Sequence, residues 1–169
     1  MGKRRAKAKP PESRFILHRF NGDEVYRFET AVMWAYVKGS GVTLWFEVSA
    51  DADAIRQCED TAEMGMSPNA EVGIDLPELD PDQLVGREFV IPGTKSDDED
   101  SCMSLLYYCE HEPLRDNRIR VVSRDGNRFW LRWTAVVRDV NYYDGSKPLT
   151  QVEIEGEFVF KDIGKWARA

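Results

Sequence analysis

The sequence predicts a mainly β domain: a two-sheet antiparallel β-sandwich or flattened barrel of about eight or nine strands, with one short inserted helix. Five Trp, six Tyr and eight Phe lie with many β-branched residues in alternating runs, as is typical of half-buried strands. Turn signals separate these runs at short intervals. The regular alternation of strands with long helices, which a parallel sheet needs, is absent.

The first hairpin is predicted at Asn21-Gly22, because both central residues of a type I′ turn need positive φ. A turn centred there pairs Arg19 with Glu24 across the two strands. The second strand is predicted to continue to residue 38, and its segment 31–37 is apolar on both faces. Such a strand is either central in the fold or part of a subunit interface. We therefore predict a homo-oligomer that forms through the apolar strand 31–37.

The middle of the chain contains the best helix signal. Residues 51–62 are predicted to form a helix capped by Asp51, with one narrow apolar stripe on its surface. Before it, Gly39-Ser40-Gly41 is predicted as a three-residue loop with Gly41 in the left-handed conformation, which pairs Trp34 with Phe46. After it, Asp80-Pro81 predicts a single helical turn that ends at Gly86. Short strands are predicted over 72–76, 87–91 and 102–109.

The C-terminal part predicts three adjacent strands. Gly126 is expected to take the left-handed position of the loop 124–126, so that Val121 pairs with Phe129. Strand 128–138 is then expected to pair with 150–160, in a register that sets Trp133 opposite Gly156.

The net charge of −7 is distributed unevenly. Residues 1–9 carry five basic residues and no acidic one, whereas residues 113–140 carry seven arginines against three aspartates. We predict a disordered basic tail over 1–13, a single β domain over 14–163 and a C-terminal tail over 164–169. The overall acidity argues against nucleic-acid binding through bulk charge. No apolar stretch is long enough to span a membrane, and three cysteines are too few for a secreted disulfide scaffold, so we expect a cytoplasmic protein.

The strongest candidate site is an arginine-rich face of the C-terminal hairpin. Guanidinium groups around an indole can bind a phosphate, a carboxylate or a stacked base. These side chains could instead pair with Glu153, Glu155 and Glu157 of the next strand and need no ligand. The predicted anion-binding residues are Arg118, Arg120, Arg128, Trp130 and Arg132.

The sequence offers two weaker candidate sites. Cys109 and His111 are two residues apart, so on a continuing strand they point the same way, and a thiolate nucleophile needs such a base. A consecutive acidic run could bind Ca²⁺ or Mg²⁺, but it lacks the alternation and the glycine of a metal loop, so a solvated loop is expected. The run consists of Asp97, Asp98, Glu99 and Asp100.

These observations indicate a non-catalytic binding or protein-interaction module without a cofactor, because no set of nucleophile, base and oxyanion donors converges in the sequence. Its expected partner is an unknown protein or a small anion; no membrane is expected, and nucleic acid is a disfavoured partner. Two alternatives stay open. One is a small-ligand-binding protein or enzyme that uses the arginine-rich face or Cys109 and His111. The other is a weak binder of nucleic acid or of an acidic partner through the basic tail.

Overall fold

The computed structural model describes residues 11–92, 104–142 and 144–166. The protein is mainly β, as the sequence predicts. One short helix, α1 (Glu59–Ala62), and two 3₁₀ turns, Pro81–Gln83 and Ile163–Lys165, accompany the strands. The strands are β1 (Arg14–Arg19), β2 (Gly22–Tyr26), β3 (Phe28–Lys38), β4 (Gly41–Ala50), β5 (Asn69–Leu76), β6 (Glu88–Ile91), β7 (Ser104–Tyr108), β8 (Glu110–Pro113), β9 (Arg115–Asp125), β10 (Arg128–Val137) and β11 (Thr150–Phe160).

All eleven described strands belong to one hydrogen-bonded sheet. Its order is β6-β9-β10-β11-β3-β4-β5-β7-β8, and β1 pairs with both β11 and β2. The sheet curls over on itself: Phe46 of β4 packs against Phe89 of β6 with ring centroids 5.9 Å apart, although four strands separate β4 from β6 in the order. The concave side encloses a single cluster of buried apolar side chains, whose largest member is Trp133.

The β1–β2 hairpin forms, but its register differs from the prediction by two residues. The turn residues are Phe20 and Asn21, and Arg19 pairs with Gly22 instead of Glu24. Gly22 has a φ of 136°, so the glycine relieves the strain at the start of β2 and not at the centre of the turn. A two-residue shift preserves which side chains face inward. Arg19 and Glu24 therefore both remain buried on the concave side.

The β3–β4 hairpin corrects the predicted three-residue loop. Only Gly39 and Ser40 form the turn, with Gly39 at a φ of 61°, and this one-residue difference pairs Trp34 with Trp45. Gly41 is needed for another reason: a Cβ there would lie 2.6 Å from the carbonyl oxygen of Leu76. The predicted continuous strand also breaks at residue 27, so β2 and β3 are separate strands.

The predicted helix over 51–62 is wrong, since only Glu59–Ala62 is helical. The preceding segment bonds to the edge of β2 instead: the amide of Ile55 donates to the Val25 carbonyl at 2.8 Å, and the amide of Val25 donates to the Arg56 carbonyl at 2.8 Å. The backbone N–H and C=O groups of this segment thus bond to the edge of β2 and cannot form the hydrogen bonds of a helix. The predicted turn after Asp80 is confirmed, with the Asp80 carboxylate accepting a hydrogen bond from the Asp82 amide.

The three C-terminal strands are adjacent and antiparallel as predicted, but each predicted register is displaced by two residues. Val121 pairs with Leu131, and Gly156 lies opposite Leu131 instead of Trp133. Between β9 and β10, the two-residue turn after Asp125 displaces the predicted pairing by three residues, and the bulge between Trp130 and Leu131 reduces this to two. Gly126 has the predicted positive φ, at 63°.

Candidate functional site

The predicted arginine-rich residues share the convex face of β9 and β10. We call Arg118, Arg120, Arg128, Trp130 and Arg132 the arginine face. Their neighbours in sequence, such as Ile119 and Leu131, are fully buried on the concave side, so strand alternation turns the arginines outward. The four guanidinium groups are exposed and Trp130 is half-buried.

Strand β11 neutralises one half of the arginine face. Arg128 Nη1 donates to Glu157 Oε1 at 2.8 Å, and Arg132 Nε donates to Glu155 Oε1 at 2.9 Å. Trp130 Nε1 donates to the same Glu155 oxygen at 3.2 Å. Burial alone would raise the pKa of Glu155, but the bonds from Arg132 and Trp130 outweigh it and lower that pKa. The glutamates of β11 therefore form ion pairs with the two β10 arginines. For these two residues this is the alternative in which the arginines pair within the chain and need no ligand.

The other half of the arginine face is not neutralised in this way. In the described part of the chain, neither Arg118 nor Arg120 forms an ion pair within 4 Å. Arg120 lies directly opposite Arg132, a like-charge cross-strand pair, and Arg118 lies opposite Thr134. Glu88 of β6 is the cross-strand neighbour of Arg120 on its other side, yet the two side chains make no salt bridge. Among the described residues, two exposed guanidinium groups thus have no ion-pair partner and could bind an anion.

A shallow groove of about 310 Å³ lies next to the arginine face, over β1 and β11. Glu155, which accepts hydrogen bonds from Trp130 and Arg132 of that face, is one of its lining residues. Three carboxylates and one guanidinium line it, so its charge does not favour an anion. The lining residues are Pro11, Glu12, Arg14, Ile16, Glu153 and Glu155.

Cys109 and His111 do not lie on one continuing strand. Cys109 has a φ of 63° and forms the reversal between β7 and β8, where Tyr108 pairs with Glu110. The positive φ turns the chain back at the cysteine itself. The expectation that both side chains point the same way from one strand is therefore wrong.

The surroundings of Cys109 and His111 differ as well. The Cys109 Sγ lies 3.3 Å from the Met64 Sδ, whereas the His111 ring packs edge-on against Tyr107 with centroids 4.4 Å apart. Burial raises the pKa of the Cys109 thiol, and the charge of Glu24 raises it further. A raised pKa reduces the thiolate fraction at neutral pH. The described surroundings of Cys109 therefore disfavour its thiolate form.

A buried ionic cluster that the sequence analysis did not propose as a site lies where β1 ends. Arg19 is its centre, and three carboxylates accept all five guanidinium N–H groups. Nε and Nη2 donate to Asp139 at 3.0 Å each, Nη1 and Nη2 to Asp60 at 3.0 and 2.9 Å, and Nη1 to Glu24 at 2.9 Å. Burial alone would lower the pKa of Arg19, but these bonds outweigh it and raise that pKa. The bonds from Arg19 lower the pKa of Asp60 to about 2.

The Asp60 and Asp139 oxygens that bind Arg19 also accept hydrogen bonds from other side chains. Thr150 Oγ1 donates to Asp139 Oδ2 at 2.9 Å. Asn21 and Asn141 each donate a side-chain amide to Asp60 at 3.2 Å. The cluster therefore links the β1–β2 turn, α1, the loop after β10 and the start of β11.

Two tyrosines complete the cluster around Glu24. Tyr26 and Tyr108 each donate a hydroxyl to Glu24 Oε2 at 2.6 Å, and the two hydroxyl oxygens are 2.7 Å apart. Gln57 Nε2 donates to the Tyr108 hydroxyl at 3.0 Å, and Thr61 Oγ1 donates to the other Glu24 oxygen. Burial, with the bond to Glu24, raises the pKa of Tyr108 to about 12. Both phenols therefore remain protonated donors at neutral pH.

Metal binding gains no support from this cluster. Glu24, Cys58 and Asp60 bring one ligand atom each within 4.8 Å of one another. Both carboxylates are already bonded to the Arg19 guanidinium, which supplies the positive charge that a cation would bring. The predicted weak metal candidates Asp97, Asp98, Glu99 and Asp100 lie outside the described residues.

One signal in the sequence could have revealed the buried cluster. Arg19 has the same strand parity as Phe15 and Leu17, which marks it as an inward-facing charge. An inward charge needs buried partners. Asp60 and Asp139 are 41 and 120 residues away from Arg19, and no local pattern connects them with it.

Comparison of the chain with protein-family models, with curated proteins and with solved structures gives no match.

Proposed function

We propose that this protein is a non-catalytic interaction module that binds an acidic segment of a partner protein through the arginine face. One observation carries the proposal: Arg118 and Arg120 are exposed and lack an ion pair among the described residues, whereas their neighbours Arg128 and Arg132 are paired with glutamates. An acidic side chain placed between Arg120 and Arg132 would relieve their like-charge contact.

The charge of the surroundings favours a short acidic peptide over a nucleic acid. Glu88, Glu153, Glu155 and Glu157 surround the arginines on the convex face. A continuous run of phosphates would meet these carboxylates as well as the Arg118 and Arg120 guanidinium groups, and the whole chain carries a charge of −7. A peptide that places two carboxylates at alternate positions matches Arg118 and Arg120, which are also two residues apart on β9.

Binding of a fluorescein-labelled peptide with alternating glutamates and threonines tests this function. Fluorescence anisotropy at low ionic strength should detect binding that weakens as salt is added. The double variant Arg118→Gln/Arg120→Gln should weaken it about tenfold or more, because each lost charge-assisted bond is worth about 1.5–3 kcal/mol before screening.

The matched control is Arg128→Gln/Arg132→Gln, which removes the same charge from the glutamate-paired half of the arginine face. This control should weaken binding by less than the first double variant does. Equal affinity of the Arg118/Arg120 double variant and the wild type would contradict the proposal, as would a larger effect of the control. A second experiment with single-stranded DNA of the same length decides between acidic peptide and nucleic acid.

We also propose that the protein is a homo-oligomer through the apolar strand 31–37. Val37 is 70% exposed and Tyr36 is 38% exposed, although both belong to a long strand within the sheet. Such exposed apolar side chains are often covered by a second subunit. Sedimentation at micromolar concentration measures this directly, and a monomer at every concentration would overturn it.

A cytoplasmic location is the third part of the proposal. Cys58 and Cys109 are both free thiols, which fits a reducing compartment. No helix among the described residues is long and apolar enough to cross a membrane. Fractionation of cells that express the tagged protein tests the location, and recovery outside the cytoplasmic fraction would contradict it.

A further inference from the structure

Strand β3 is paired along one edge only for much of its length. β4 pairs with it from Phe28 to Lys38, whereas β11 pairs only with Val32 and Met33. The amide of Lys161 donates to the Met33 carbonyl at 2.8 Å, so the backbone of Met33 points away from β4. Because these directions alternate along a strand, the N–H and C=O groups of Ala35 and Val37 point the same way. Within the described residues, no backbone partner occupies this edge at either position.

We propose that the second copy of this chain adds its own β3 to this edge, antiparallel and with Tyr36 of both copies on the two-fold axis. The inference rests on the homo-oligomer proposed above and specifies how the copies join. Ala35 of each copy would exchange two backbone hydrogen bonds with Val37 of the other. This is addition of a strand to a free sheet edge, in which main-chain bonds supply the affinity.

The neighbouring registers are less suitable. A two-fold axis at Ala35 would pair Met33 with the second copy's Val37, but the Met33 carbonyl already accepts from Lys161. An axis at Val37 would pair Ala35 with the second copy's Gly39, which lies in the β3–β4 turn at a φ of 61°. Of these three axes, the one at Tyr36 pairs Ala35 with Val37, the two residues whose edge-facing N–H and C=O groups have no backbone partner among the described residues.

The side chains are complementary in the proposed register. On one face the half-buried Ala35 meets the exposed Val37 of the second copy, which extends the apolar surface beyond the buried Met33. On the other face Trp34 lies opposite the second copy's Lys38. Trp34 Nε1 donates to Glu47 at 2.8 Å, so the lysine ammonium would approach a carboxylate.

Stacking of the copies through the convex face is the main structural alternative. Trp34 stacks with both Trp45 and Tyr36, with ring centroids 5.8 and 5.7 Å away. The Trp34 indole is thus already in contact with two aromatic rings of its own copy. These three aromatic side chains are therefore less suited to intercalate with those of a second copy. The contacts favour pairing of the copies through the β3 edge instead.

Cysteine crosslinking measures the register. In a variant whose native cysteines are serine, Tyr36→Cys places two thiols directly opposite each other, in a non-hydrogen-bonded pair with Cβ atoms about 4.5–5.5 Å apart. We expect most of this variant to become a covalent dimer under mild oxidation. Lys38→Cys is the matched control, since the two Lys38 positions would be about 13 Å apart along the strands. Crosslinking of Lys38→Cys as complete as that of Tyr36→Cys would overturn the register.

Val37→Pro tests the edge independently of cysteine. The Val37 N–H points to the open edge, so proline there removes a donor that the β3–β4 ladder does not use. Sedimentation should show a monomer that still unfolds cooperatively, whereas Val37→Thr keeps the N–H and should remain dimeric, with a melting temperature that rises with protein concentration.

The outcomes separate this inference from the proposed oligomer. A wild-type dimer that survives Val37→Pro and does not crosslink at Tyr36→Cys overturns edge pairing but leaves homo-oligomerisation intact. A wild-type monomer throughout the micromolar range overturns both.

Discussion

Asp139 and Arg19 form a buried two-bond pair across 120 residues of sequence. Arg19 Nε donates to Asp139 Oδ2 and Nη2 donates to Oδ1, each at 3.0 Å, and both side chains are almost fully shielded from solvent. The pair attaches the loop after β10 to the end of β1. Because Arg19 also binds Asp60 and Glu24, its loss would leave three carboxylates without their common partner.

Arg19→Met is expected to destabilise the protein by about 3–5 kcal/mol, the usual cost of removing one partner from a buried ion pair. Arg19→Lys should recover little of this, because an ammonium has three donors where the guanidinium has five in fixed directions. Urea unfolding measures both. Arg27→Met is the control, since Arg27 is exposed and its one ion pair among the described residues is with Glu12. Equal stability of Arg19→Met and Arg27→Met would show that the cluster contributes nothing.

The bond from Arg19 to Asp60 makes stability depend on pH in the acid range. The pKa of Asp60 falls from 3.8 to about 2 on folding. A carboxylate whose pKa is lowered on folding stabilises the folded protein at pH values above its unfolded-state pKa. This stabilisation is lost as the pH falls through the folded-state pKa. The free energy of unfolding of the wild type should therefore exceed that of Asp60→Asn by a margin that depends on pH. After allowing for partial exposure, this margin should be about 1–2 kcal/mol larger at pH 5 than near pH 2. Unfolding curves across this range test it, and a difference that stays constant would be the contrary result.

His18 should give the opposite pH dependence near neutrality. Burial lowers its pKa, but the bonds and charges of Asp23 and Glu153 outweigh this and raise it above 6.5. His18 Nδ1 lies 2.8 Å from Asp23 Oδ1. A histidine whose pKa is raised on folding stabilises the folded protein at pH values below its unfolded-state pKa. This stabilisation is lost as the pH rises through the folded-state pKa. The stability advantage over His18→Gln should thus decline between about pH 6 and pH 8. An advantage that grows with pH would contradict this assignment.

Gly156→Ala is expected to destabilise the protein by about 1–3 kcal/mol through overpacking. A Cβ at residue 156 would lie 2.5 Å from a ring carbon of Phe28 and would also overlap the Ser13 hydroxyl. Gly164→Ala is the control, because a Cβ there has no heavy atom within 4 Å and its backbone needs no positive φ. Thermal unfolding compares them, and a Gly156→Ala protein as stable as the control would refute the crowding.

Cys109 should react slowly with thiol reagents. Burial and the charge of Glu24 raise its pKa, so its thiolate fraction at pH 7 falls below that of a free thiol. Labelling of a protein in which Cys58 and Cys102 are serine should be slower than labelling of a model peptide thiol. Faster labelling would instead support the alternative of a nucleophilic Cys109.

Strand faces were predictable from sequence, whereas registers were not. Leu17, Leu131 and Trp133 point inward and the arginine face points outward, as strict alternation of side chains along a strand requires. The registers depend on which residues form each turn and on bulges. The bulge between Trp130 and Leu131 has no clear signature in composition.

The helix prediction failed for a tertiary reason. Residues 51–62 have helical periodicity, but the edge of β2 offers hydrogen bonds to Ile55 and Arg56 that outweigh a weak local preference. A similar competition explains Cys109, where a chain reversal replaces the continuing strand that its local pattern indicated.

The sequence by itself determined the β class, the two faces of each strand and the concentration of arginines on one outward face, because these follow from local alternation and composition. Tertiary structure alone decided which arginines are neutralised. β11 brings Glu155 and Glu157 to the β10 arginines and leaves Arg118 and Arg120 on β9 without an ion pair among the described residues. It also decided that Arg19, Asp60 and Asp139 meet, since contacts between distant residues depend on how the sheet curls and not on any pattern within one segment.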